Sequence, residues 1–78
     1  MNLYVENLSP KTSIFQIRMA FERYGQVDKI VREKQSVDNS TNCSCYVKMT
    51  FDKQGAGAIK GLNGKELGGF TLAIKEAE

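Results

Sequence analysis

Leu3-Tyr4-Val5-Glu6-Asn7-Leu8 alternates two kinds of side chain. Leu3 and Val5 fall on one side and Tyr4 and Glu6 on the other, the period of a strand half buried against a core. Asn42-Cys43-Ser44-Cys45-Tyr46-Val47-Lys48-Met49 repeats the pattern. There Cys43, Cys45, Val47 and Met49 share the inner side, and Ser44, Tyr46 and Lys48 the outer side. Each strand therefore carries a tyrosine opposite its apolar residues. The segments around them decide whether the two tyrosines become neighbours.

The first strand reads as Asn2–Leu8, ended by Ser9-Pro10 because proline cannot donate to a ladder. A helix follows from about Ile14 to Tyr24. Ser13 and Gln16 have capping-box spacing, and Gly25 suits the C-terminal cap. Ile14, Ile17, Phe21 and Tyr24 lie on its buried face. A second strand runs from Val27 to about Glu33. Placing both Val27 and Ile30 inward requires a bulge or twist, which leaves Lys29 and Val31 outward. Lys34–Thr41 has loop composition, and Asn42–Thr50 is the third strand.

Asp52–Leu62 reads as a weaker helix with Gly55, Ala58, Ile59 and Leu62 inward. Gly55 and Gly57 each cost it about 1 kcal/mol relative to alanine. Tertiary packing must hold it, or Gly55 lets it approach the sheet closely. Asn63-Gly64 and Gly68-Gly69 are turn signals. Phe70–Lys75 gives the last strand, with Leu72 and Ile74 inward and Ala73 and Lys75 outward.

Strand, helix, strand, strand, helix, strand is the split βαβ order of an α+β, ferredoxin-like βαββαβ sandwich. One domain over residues 1–78 is expected, a four-stranded antiparallel sheet with two helices on one face. The other face stays open. It would carry Tyr4, Tyr46, Ser44, Glu6, Lys29, Lys48 and Lys75. Aromatics interleaved with lysines suit a single nucleic-acid strand whose bases stack while its phosphates pair.

Composition narrows the classes. The chain has 78 residues, enough for one core, with 41% hydrophobic and 26% charged residues, as in ordinary globular domains. A net charge of +2 is too mild to indicate a nucleic-acid partner by itself. No apolar run approaches the ~18–20 residues of a membrane span, and no secretory pattern is present. A reducing, cytoplasmic setting is expected, or a nuclear one if this is a domain of a longer eukaryotic protein, with both cysteines as thiols. Cys43 and Cys45 share one strand face in a chain without histidine, so a tetrahedral metal site lacks ligands and core packing is expected. An enzyme is not expected, because Glu6 stands alone on the open face and no Gly-Lys phosphate cradle occurs. Phe15 and Met19 lie four apart on the outer face of the first helix, as a local pair or as a contact for a protein partner or homodimer.

Taken in order, these segments resemble the RNA recognition motif from Leu3 to Ala77. Leu3–Leu8 fits the family's hexamer. Phe21-Glu22-Arg23-Tyr24-Gly25-Gln26-Val27 is similar to the exit of its first helix, and Ala58-Ile59 with Leu62-Asn63-Gly64 to that of its second. Gly69, Leu72, Ile74 and Ala77 resemble its last strand. The octamer departs from the pattern of basic, Gly, aromatic, Gly/Ala, aromatic, aliphatic, any, aromatic. Asn42 replaces the basic residue, Cys43 the glycine, Ser44 the first exposed aromatic and Met49 a core aromatic, while Tyr46 and Val47 are kept.

The resemblance implies single-stranded RNA as partner, with single-stranded DNA as the alternative strand. Tyr4 and Tyr46 would each hold a base. Ser44 would offer a hydrogen bond but no stack, and Asn42 a phosphate contact without charge. Binding is expected to be weak, of modest sequence preference and across two to four nucleotides. The competing expectation is a protein-interaction module on the same fold. The family's peptide-binding version uses an Arg-x-Phe feature after the second helix, and Lys65-Glu66-Leu67 stands there instead.

Overall fold

The computed structural model describes residues 1–33 and 43–77. The elements are β1 (Asn2–Leu8), α1 (Ile14–Glu22), β2 (Val27–Arg32), β3 (Cys43–Met49), α2 (Asp52–Leu62), β4 (Glu66–Leu67), β5 (Phe70–Thr71) and β6 (Ala73–Ala77). The main sheet is antiparallel in the order β2-β3-β1-β6, and β4-β5 is a separate small hairpin. The expected loop over 34–41 and the start of the third strand at Asn42 lie outside the described residues.

The core sits between the sheet and the two helices. Leu3, Val5, Cys45, Val47 and Met49 from the central strands meet Ile17, Phe21 and Ala58 from the helices. Alternation therefore holds along β1 and β3. Both cysteines are buried and neither forms a disulfide, and burial pushes the Cys45 thiol up to about 11, opposed in part by the Arg32 guanidinium.

Two bulges tune the faces. In β2 the register shifts between Val27, opposite Met49, and Lys29, opposite Lys48. That irregularity keeps Val27 in the core and Ile30 against it, as the sequence requires. In β1 Val5 faces Cys45 and Leu8 faces Cys43, three steps against two. Asn7 absorbs the difference at φ 65° and returns Leu8 to the core. Its side-chain amide donates to the Thr71 carbonyl at 2.7 Å, which pins the bulge to the hairpin.

Helix α1 starts as expected, with both arms of the Ser13/Gln16 capping box formed. It ends at Glu22 rather than Tyr24, because the Tyr24 N–H turns back to the Phe21 carbonyl at 2.9 Å in a tightened last turn. Gly25 then passes against Gln54 of α2, whose side-chain oxygen accepts from the Gln26 N–H at 2.8 Å.

Helix α2 has the expected bounds and buries Gly55 and Ala58. A Cβ at Gly55 would lie 2.6 Å from the Met1 sulfur, so the close approach is real.

The single last strand expected over Phe70–Lys75 is instead two. Phe70–Thr71 folds back on Glu66–Leu67 across Gly68-Gly69, whose φ values of 63° and 83° suit a two-residue hairpin turn. Leu72 is the break. Its N–H donates to the Lys65 carbonyl at 2.8 Å and its carbonyl accepts from Gly64 at 2.9 Å, so both groups leave the main ladder. The chain rejoins the sheet at Ala73, and the Asn63 side chain accepts from the Ile74 N–H at 2.9 Å.

Candidate nucleic-acid interface

Both helices pack on one side of the sheet, so the outward residues of β1, β2, β3 and β6 form the opposite face. Tyr4 and Tyr46 are register partners on the two central strands. Their ring centroids lie 4.9 Å apart at an interplanar angle of 43°, a tilted pair within aromatic contact. Tyr46 is the more open, at 41% exposure. Val31 faces Tyr46 from β2, and Asn2, Lys29, Val31, Tyr46 and Lys48 line a shallow depression on that side.

Tyr4 is half-buried for a definite reason. Its hydroxyl reaches over β3 to the Glu33 carboxylate, 2.6 Å away, and lies 3.1 Å from the Ser44 hydroxyl. The Ser44 hydroxyl is itself 2.6 Å from the same Glu33 oxygen, Oε1. A carboxylate only accepts. The two hydroxyl protons therefore go to the two short edges of this triangle. Glu33 is placed just beyond β2 by its N–H, which donates to the Ser44 carbonyl at 3.0 Å. The Ser44 hydroxyl, then the Tyr4 hydroxyl, hold the Glu33 carboxyl below its usual range. Glu33 in turn raises the Tyr4 phenol, with Ser44 opposing.

The lysines stand around the tyrosines. Lys75 faces Tyr4 from β6, with its ammonium 5.6 Å from the ring centroid and 3.8 Å from Glu6. Lys48 lies 3.7 Å from Asp28, and Lys29 is its register partner. Exposed pairs of this kind contribute about 0–1 kcal/mol, so a phosphate can displace either carboxylate cheaply.

The structure thus brings Tyr4, Tyr46, Ser44, Glu6, Lys29, Lys48 and Lys75 onto one face, while Asn42 lies outside the described residues. Phe15 and Met19 are elsewhere, 68% and 54% exposed on α1 on the helical side. Among the described residues, Glu33 also reaches this face, where sequence reasoning did not place it. Its signal was parity, since Lys29, Val31 and Glu33 alternate onto one side of the strand.

Comparisons with known proteins bear on the family and the fold. The model of the RNA recognition motif matches residues 3–73. RbpF of Nostoc sp. is 31% identical over all of this chain and 74% of its own length. The RNA-binding protein lark of Drosophila melanogaster is 34% identical over 97% of this chain, which spans 19% of that protein. The first two RRM domains of the yeast poly(U)-binding protein Pub1 superpose at a TM-score of 0.92, with 22% identity, over 100% of this chain and 46% of theirs. An intact hexamer on β1, the strand order around it and a match along nearly the whole chain place this protein in the RNA recognition motif family.

Proposed function

We propose that this domain binds single-stranded RNA across the open sheet face, stacking bases on Tyr46 and Tyr4 over two to four nucleotides. The observation that carries this reading is the direct pairing of Tyr4 with Tyr46, 4.9 Å apart on a face that neither helix covers. Lys29, Lys48 and Lys75 flank the pair where phosphates would run. The lark relative is named an RNA-binding protein, which supports the same reading.

The platform is reduced. Ser44 supplies no ring, and the net charge is only +2. Losing a stack of ~1–3 kcal/mol and one charged phosphate contact leaves affinity about 10–1000-fold below that of a three-aromatic surface. Sequence preference is modest for the same reason, because every base has a face to stack.

An NMR titration with short mixed-sequence RNAs tests the reading. Shifts centred on Tyr4 and Tyr46 support it, and it fails if neither Tyr4→Ala nor Tyr46→Ala changes binding. A second reading rests on the exposure of Phe15 and Met19 together on α1. It assigns that helix to a protein partner or a second copy of this chain, and shifts confined to α1 on adding a partner would favour it.

A further inference from the structure

The area vacated by the missing aromatic at Ser44 is not empty. The Glu33 carboxylate and the Tyr4 hydroxyl meet there, over β3. Among the described residues no lysine or arginine pairs with Glu33, whereas Glu6 is met by Lys75 and Asp28 by Lys48. A carboxylate on a lysine-bearing face works against phosphate binding. Its chemistry suits the edge of a base instead.

We infer that Glu33 is a specificity-determining residue, which selects a base bearing an exocyclic amine over uracil at the position stacked on Tyr4. The inference rests on the stacking reading above. A base lying over the Tyr4 ring has one edge beside Glu33, because the ring's own hydroxyl is 2.6 Å from that carboxylate. Both hydroxyl contacts fall on Oε1. A carboxylate has two oxygens and about four acceptor positions, so capacity for a base donor remains. The two hydroxyls also hold the carboxylate in place before any base arrives, which lowers the ordering cost of using it.

Donor and acceptor patterns then decide. Cytosine offers its 4-amino group to the carboxylate, and adenine its 6-amino group. Uracil presents a carbonyl oxygen where cytosine has the amine, and two acceptors repel. Cytosine and uracil have rings of the same size, so their comparison separates the amine from stacking strength.

The test is binding of labelled oligo(C) and oligo(U), each about four nucleotides long, by fluorescence anisotropy at one fixed salt concentration. The wild-type domain is expected to bind oligo(C) about tenfold more tightly, the size of one hydrogen bond to a charged group. In Glu33→Gln the amide can turn its NH2 toward the uracil carbonyl, so the ratio is expected to fall to within about twofold. Ser44→Ala removes one of the two hydroxyls holding Glu33 and should lower the ratio part of the way. Equal binding of the two oligonucleotides by the wild type, or an unchanged ratio in Glu33→Gln, overturns the inference and leaves the stacking platform standing. No binding of either oligonucleotide, with unmoved Tyr4 and Tyr46 resonances, overturns the platform and the inference with it. If Glu33→Gln does not fold, Ser44→Ala carries the comparison, and equal wild-type binding still overturns the inference.

Discussion

Tyr4 and Glu33 are joined across β3 by a 2.6 Å hydrogen bond between residues 29 positions apart. The bond draws the far end of the Tyr4 ring toward the β2 edge, while its near end stays opposite Tyr46. One tyrosine of the pair is thus anchored at its hydroxyl, and the other is open. The two should respond differently to mutation, pH and ligand.

Tyr46→Ala removes a ring whose packing is the tilted contact with Tyr4. RNA affinity should fall by ~1–3 kcal/mol, or about 5–150-fold, and loss of the ring pair should lower stability by about 0.5–1.5 kcal/mol. Tyr4→Ala should cost a similar factor in binding and also some stability, since it deletes the hydroxyl that Glu33 accepts from. Tyr4→Phe keeps the ring and should retain most of the affinity. Isothermal titration together with thermal melts of the three variants separates these outcomes.

The Tyr4–Glu33 bond also predicts pH behaviour. Tyr4 is raised, chiefly by the Glu33 hydrogen bond, so the folded state favours the neutral phenol. Its contribution to stability is present below the ordinary phenol range and is lost as pH rises through the raised folded value. Glu33 is lowered, so its contribution is present above the ordinary carboxylate range and is lost as pH falls through its lowered value. Glu33 is exposed and Tyr4 only half-buried, so solvent screens the pair and the effect on stability is small. NMR titration of the Tyr4 ring should give a midpoint above the usual phenol range, and Glu33→Gln should bring it down. An unchanged midpoint in Glu33→Gln would show that the bond does not persist in solution.

Salt dependence counts the lysines that meet phosphate. If Lys29, Lys48 and Lys75 all do so, log K should fall against log salt with a slope of about −2, near −0.7 per contact for single strands. Lys75→Ala should make that slope shallower by about 0.7. The same variant frees Glu6 from its 3.8 Å ion pair, so affinity at low salt should drop further than the lost contact alone requires. Anisotropy titrations over a salt series read both effects.

Most of the sheet was legible because alternation is a local signal. Leu3, Val5, Cys45 and Val47 declare their side without reference to any other segment, and the Val27–Ile30 conflict announced its own bulge. The bulge at Asn7 was not legible, since it depends on register against β3 and on a bond to Thr71. Nor was the break at Leu72. Leu72 keeps the alternation of a continuous strand, and only the turn at Gly68-Gly69 and the backbone bonds to Gly64 and Lys65 divert it. The tyrosine pair followed from strand order. The Glu33 contact required knowing that Ser44 leaves room between two strands, which is a property of three segments at once.

The glycines of α2 give a last prediction, because the same substitution should have opposite effects within one helix. Gly57 faces open space, with nothing within 4 Å of where a Cβ would stand. Gly57→Ala therefore collects only the gain in helix propensity, about 1 kcal/mol, which raises the melting temperature by ~4–8 °C in a domain of this size. Gly61 lies under the Tyr24 ring, and a Cβ there would fall inside contact distance of the hydroxyl and two ring carbons. Tyr24 packs against the core, so its ring cannot swing away without loosening the join between α1 and α2. Gly61→Ala should therefore cost about 1–3 kcal/mol net of the propensity gain. Thermal melts of the two variants side by side check the pair. A stabilised Gly61→Ala would mean that Tyr24 moves freely and that the Gly61 contact is not part of the core.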